Sequence, residues 1–352
     1  MKELNDILSE ITGPDEMAHS ACIARWDSLA KPLGSLGLLE GSIARIAGVT
    51  GNPDISLEKR TLLVLCADNG VVAQRVTQSE SNVTAAVASA LAAGESTVCH
   101  MANLARCGVI PVDMGILDFQ ETRGVLNRRV RNGTEDITKG PAMSRDECVQ
   151  AVKAGVQLVS ARKQAGDDII ATGEMGIGNT TTASAVTSVL LGMSPSEVTG
   201  RGAGLSDAGL VRKIKAVETA IAMNRPDSGD PIDVLSKVGG LDIAGLCGVF
   251  LGGALYRVPV LMDGFISAAA ALCAVRLCPR AECVLLASHV SAEPAGQTVL
   301  DALGIKPLIS AGMRLGEGSG AVAALPLLDM ALAVYNSGHT FDRLGIEAYT
   351  PQ

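Results

Sequence analysis

Glu317 lies in the run MRLGEGSGA, Met313 to Ala321, between Gly316 and Gly318. Glycines on both sides remove side-chain bulk and permit unusual dihedrals, so this carboxylate can approach a ligand closely. Met313, Leu315 and Ala321 offer apolar surroundings of the kind that raise a carboxyl pKa, which suits a general base. The alternative is structural: Ala321 to Tyr335 reads as a helix, and an acidic residue in a first turn favours its dipole. On this segment alone the helix start is the simpler reading.

Phosphate-binding chemistry has its strongest signal in GEMGIGNTTTASA, Gly173 to Ala185, where a strand leads into Gly176 and Gly178 before Asn179 and three threonines open a helix. Glycines bring backbone donors near an anion and the helix start attracts it. An ordinary cap by Thr180 or Thr181 explains the same residues. Glu174, at the strand end, is placed to hydrogen-bond a sugar or an aromatic N–H.

A second loop, GRGAGLSD from Gly200 to Asp207, precedes a helix over Ala208 to Met223. Gly200, Gly202 and Gly204 follow no buried strand, so the loop fails the dinucleotide fingerprint on spacing and context, and no Walker A sequence occurs. Lys213 in that helix offers a point charge for a phosphate or simply a solvated face. ASHVSAEPAG, Ala287 to Gly296, groups Ser288, His289, Ser291 and Glu293. Without a G-x-S-x-G elbow this reads as a polar loop rather than a hydrolase site, with Ser291 a phosphate or ribose contact.

These residues need a scaffold that collects them. Short β-branched runs end in polar or glycine turns at Thr61–Gly70, Gly108–Gly115, Asp167–Gly176, Val258–Gly264 and Glu282–His289, and read as buried parallel strands. Helical stretches fall between them, at Asn82–Ala93, Ser96–Cys107, Asp146–Ala165, Thr180–Leu191 and Gly264–Leu277. The alternation predicts an α/β fold, doubly wound, with a mostly parallel sheet flanked by helices. Ligands then bind beyond the carboxyl ends of the strands, where Asp68, Asp113, Glu174, Asp263 and Ser288 fall. Phe119 to Pro141 reads as a long excursion. Both chain ends lack strand signals, which predicts a small helical domain of 1–55 with 328–352 beside a large α/β domain of 56–327.

The chain has 352 residues, 29 Lys and Arg against 37 Asp and Glu, and a net charge of −8. No basic run suggests nucleic acid as a partner. Nine cysteines form no CxxC pair and only four histidines are present, so we expect reduced thiols, no metal site and a cytoplasmic location. The N-terminus has no continuous apolar stretch of signal-peptide type, so the mature chain is expected to start here. The longest uncharged apolar run, Ile243 to Tyr256, has 14 residues. It falls short of the roughly 20 needed to span a bilayer. Hydrophobic residues make up 47% but aromatics only 2%, which calls for small side chains and closely approaching helices.

In order along the chain, KPLGSLGLLE, CADNGV, VDMGI, GPAMSR, GEMGIGNTTTASA, IDVLSKVGG, VLMDGFISAAAAL, SHVSAE and MRLGEGSGA resemble the nicotinate-nucleotide:dimethylbenzimidazole phosphoribosyltransferase family from Lys31 to Ala321. The resemblance implies transfer of 5-phosphoribose from nicotinate mononucleotide to a benzimidazole, without a cofactor, in a homodimer. It implies Glu317 as the catalytic base. Glu174, Gly176, Asn179, Gly202, Lys213 and Ser291 would hold the nucleotide, with Gly316 lining its site and Ser79, Met313 and Leu315 bordering the base pocket. Two positions depart from the pattern: Asn69 stands where the family often shows His, and Leu33 where it shows Pro. Both bear on base preference. A nicotinamide-dependent oxidoreductase would need a βαβ fingerprint with an acidic residue about 20 positions on, and neither element occurs.

Overall fold

A computed structural model describes residues 3–349. Strands β1 (Arg60–Ala67), β2 (Gly108–Gly115), β3 (Leu126–Asn127), β4 (Ile169–Met175), β5 (Val260–Met262) and β6 (Leu285–Ala287) form one sheet ordered β3-β2-β1-β4-β5-β6. Every neighbouring pair is parallel. The doubly wound α/β expectation is borne out. Central strand β1 is buried along its whole length. Leu62, Val64 and Cys66 face one core and Leu63, Leu65 and Ala67 the other, the period of two that a sheet covered on both faces requires. The winding reverses between β1 and β4, so a crevice opens at their carboxyl ends.

Two strand expectations need correction. Within Glu282–His289 only Leu285–Ala287 is strand, because Pro279–Val284 forms a 3-10 helix begun by Pro279. The excursion from Phe119 to Pro141 contains the short edge strand β3, paired through Val112 and Asp113. Arg129 fastens it, its Nε donating to Asp113 Oδ2 at 3.0 Å.

The apolar run at Ile243 is a core helix, Leu241–Tyr256, buried from Leu241 to Ala254. It packs on the helix Arg145–Gln164 through glycines: a Cβ at Gly155 would run into Gly245 O, and one at Gly248 into Val152 O. This is the close helix approach that the scarcity of aromatics calls for. Gly155→Ala should therefore force the helices apart and lower stability by about 1–3 kcal/mol, the usual cost of overpacking. Urea unfolding checks this, and an unchanged midpoint would refute it.

At the chain ends, the helices Glu16–Ser28, Leu38–Thr50 and Ser319–Tyr335 pack together. The rings of Trp26 and Tyr335 are 5.0 Å apart, and Tyr335 Oη donates to Pro53 O at 3.0 Å. These helices share one core with Leu62, Val64 and Cys66 of β1. The expected boundary between 327 and 328 falls inside the helix Ser319–Tyr335, which continues through Pro326. Among the described residues no helix is long and apolar enough to cross a membrane.

Candidate active site

Gly316, Glu317 and Gly318 adopt φ of 87°, 60° and 88°, three successive left-handed residues. For a non-glycine this costs roughly 1–2 kcal/mol, so the surroundings must impose it. Glu317 N donates to Glu174 O at 3.1 Å, which ties the loop to the end of β4. The Asp263 carboxylate, just beyond β5, accepts from Gly318 N at 3.2 Å, Gly320 N at 2.8 Å and Ala321 N at 3.1 Å. Asp263 thus satisfies the first amides of the helix Ser319–Tyr335. The helix-start reading and the ligand-facing reading meet here: the helix begins at Ser319, and Glu317 stands just before it.

The Glu317 carboxylate meets polar donors instead of the expected apolar wall. Its Oε2 accepts from Ser96 Oγ and from Val98 N, the latter at 3.2 Å, at the start of the helix Thr97–Leu104. Leu315 is 53% exposed. A pairing across more than 200 residues of chain leaves no local sequence signal.

The end of β4 holds a second acidic centre. Asn179 Nδ2 donates to Glu174 Oε2 and, at 2.9 Å, to Asp242 Oδ2. All three side chains are buried. Burial pushes the Glu174 carboxyl up to about 8, with Asn179 opposing and the charges of Asp242, Asp263 and Glu317 adding to the rise. Burial likewise raises Asp242 to about 6, against its hydrogen bonds from Asn179 and Ile243 N. Asn69 is buried nearby and its Oδ1 accepts from Thr182 Oγ1 at 3.1 Å.

Lys213 corrects the solvated-face alternative, because it is wholly buried. Its Nζ donates to Thr180 Oγ1 at 2.7 Å, in the first turn of the helix Asn179–Leu191. Burial lowers its pKa to about 8, partly opposed by the charge of Glu293. Gly202 closes over the pair: a Cβ there would sit 2.9 Å from Thr180 Oγ1 and 3.2 Å from Lys213 Nζ. A buried ammonium facing a helix N-terminus is an arrangement that favours an anion.

These centres surround one cleft at the carboxyl ends of β4, β5 and β6. Glu174, Gly176, Asn179, Gly202, Ser291, Leu315, Gly316 and Glu317 all line it. Lys213 reaches it through Thr180. Ser79 and Met313 are off the wall. Ser79 N donates to Thr77 Oγ1 at 3.4 Å, and it is Thr77 that lines the cleft. Met313 O accepts from Ala292 N at 3.0 Å, which spends that residue on bracing the Ser291 loop. Phe265 and Ile266, at the start of the helix after β5, supply apolar wall that the sequence reading does not single out. Among the described residues no three His, Cys, Asp or Glu side chains are grouped to hold a metal ion, and all nine cysteines are free thiols.

A phosphoribosyltransferase family model, DBI_PRT, matches residues 11–346. The chain belongs to this phosphoribosyltransferase family. It is 47% identical over 328 residues to the nicotinate-nucleotide–dimethylbenzimidazole phosphoribosyltransferase of Acetivibrio thermocellus, covering 93% of each chain. To the enzyme of the same name from Clostridium acetobutylicum it is 42% identical over 348 residues, covering 99% of each. Among solved structures, CobT from Thermus thermophilus superposes with a TM-score of 0.89 at 36% identity, covering 95% of this chain and all of that one. The family resemblance drawn from the ordered motifs is borne out.

Proposed function

We propose that this phosphoribosyltransferase moves the 5-phosphoribosyl group of nicotinate mononucleotide to 5,6-dimethylbenzimidazole or a related base, giving α-ribazole 5′-phosphate and nicotinate for the nucleotide loop of cobalamin. The observation that carries this reading is the meeting, in one cleft, of the Glu317 carboxylate with the anion-favouring loop Gly176–Thr180 that Lys213 backs. Nicotinate joined through its ring nitrogen is a pyridinium. It leaves with the bonding pair and needs no proton. The incoming imidazole forms the new C–N bond and must shed its N–H proton, which Glu317 accepts. Attack opposite the leaving nicotinate inverts the anomeric carbon, hence the α product.

In this reading the phosphate lies at the N-terminus of Asn179–Leu191 near Lys213, with Gly176, Gly202 and Ser291 around the nucleotide and Leu315 and Gly316 toward the base. Purified protein supplied with nicotinate mononucleotide and dimethylbenzimidazole should release nicotinate, read by chromatography. If no member of a panel of benzimidazoles, purines and phenols supports release, the chain is a nucleotide-binding homologue and not a transferase.

We further propose a cytoplasmic homodimer in which 1–55 and 328–352 act as one helical lobe. Nine free thiols suit a reducing compartment, and the Trp26–Tyr335 contact supports the pairing of the two ends.

A further inference from the structure

Asp242 does not line the cleft, yet it shares a hydrogen-bond donor with a residue that does. The Nδ2 group of Asn179 faces Glu174 Oε2 on one side and Asp242 Oδ2 on the other. Two glycines make room for the Asp242 carboxylate: a Cβ at Gly176 would lie 2.6 Å from its Oδ2, and one at Gly240 would lie 2.5 Å from its Oδ1. Its Oδ1 also accepts from Ile243 N at 3.0 Å, at the start of the helix Leu241–Tyr256, where a negative charge is favoured. Asp242, Asp263 and Glu317 act on Glu174 with like charge, and the buried Cys66 thiol of β1 faces both Glu174 and Asp242. Asp68, from the end of β1, acts on Asp242 in the same sense. The imidazole of His289 faces Asp263, 3.9 Å away. Two buried carboxylates that converge on one amide, with no cation between them, do not both ionise at neutral pH.

The remaining oxygen, Glu174 Oε1, points toward the cleft wall, since a Cβ at Gly316 would lie 2.6 Å from it. Resting on the transferase reading above, we propose that Asp242 is a positioning residue: through Asn179 it keeps the proton of the pair on Glu174 at neutral pH, so that Glu174 Oε1 meets the bound nucleotide as a hydrogen-bond donor. Asp242 holds the negative charge at its helix start. Glu174 stays neutral, and a neutral Glu174 neither repels Glu317 nor competes with it for the proton of the incoming base.

Infrared titration of the unliganded full chain tests this without substrate. Wild type should show the carbonyl band of a protonated carboxyl at neutral pH, and Glu174→Gln should lack it. In Asp242→Asn that band should titrate away at a pH lower by about one unit or more, because a like charge has been removed. The alkaline limb of kcat/KM for nicotinate release should move the same way, a change that a merely structural role would not produce. A wild-type spectrum without the Glu174 band overturns the proposal, as does an unshifted midpoint in Asp242→Asn. If that variant does not fold, Asp242→Ser gives the same reading, and the comparison of wild type with Glu174→Gln still decides whether the proton is there. A wild-type protein that shows the band but releases no nicotinate would overturn the transferase reading alone.

Discussion

Glu317→Ala should lower the rate of nicotinate release by about 10² to 10⁴, the range for losing one general base, while nicotinate mononucleotide still binds. Binding survives because the anion-favouring groups, the start of Asn179–Leu191 and Lys213, belong to other elements than the glycine loop. Ala at this left-handed position meets the same backbone strain as Glu, so the loop keeps its shape. The substitution does leave Ser96 Oγ and Val98 N without their acceptor. Glu317→Gln restores an acceptor oxygen for both but no base, and separates loss of chemistry from loss of a contact. Steady-state turnover with calorimetric binding of the nucleotide checks the pair. Wild-type turnover in either variant would sink the assignment of Glu317.

Lys213→Ala should weaken binding of nicotinate mononucleotide by about 10- to 100-fold, from the roughly 1.5–3 kcal/mol of a hydrogen bond to a charged group. Turnover at saturation should fall less, since Lys213 acts at the phosphate and not at the reacting carbon. The pH dependence has a definite sign. Burial favours the neutral amine and brings Lys213 to about 8, so the cationic form that attracts phosphate is present below that pH and lost above it. Affinity of the free enzyme for the nucleotide should therefore decline as pH rises through about 8, and Lys213→Ala should make that decline shallower, leaving the share that follows loss of the Glu174 proton. Equal affinities for wild type and variant across this range would remove Lys213 from the phosphate site.

Much of the scaffold is legible in the sequence because β1, β2 and β4 run through the buried middle of the sheet, and that writes continuous β-branched runs into the chain. Leu241–Tyr256 reads only as an apolar run: a helix buried on all sides has no polar face, so its period is invisible. Strand β6 reads too long because hydrophobicity alone does not mark where a 3-10 turn gives way to strand. Within the cleft, Glu317, Glu174 and Asn179 sit in glycine-rich runs of sequence that advertise themselves. Ser96, Val98 and Asp242 join them only through tertiary contacts. Lys213 is the ambiguous case, since one cation on an amphipathic helix looks alike whether it faces water or, as here, the interior.

The helix Leu241–Tyr256 carries a single acidic residue, Asp242, and is made before β5 and β6 have left the ribosome. Until those strands join the sheet, a segment that ends up almost wholly buried has incomplete cover. Nascent chains in that interval present the kind of apolar surface that recruits holdase chaperones or drives self-association. Biogenesis thus sets its own demand on this segment: recovery of native protein depends on how quickly the last quarter of the chain is delivered and paired.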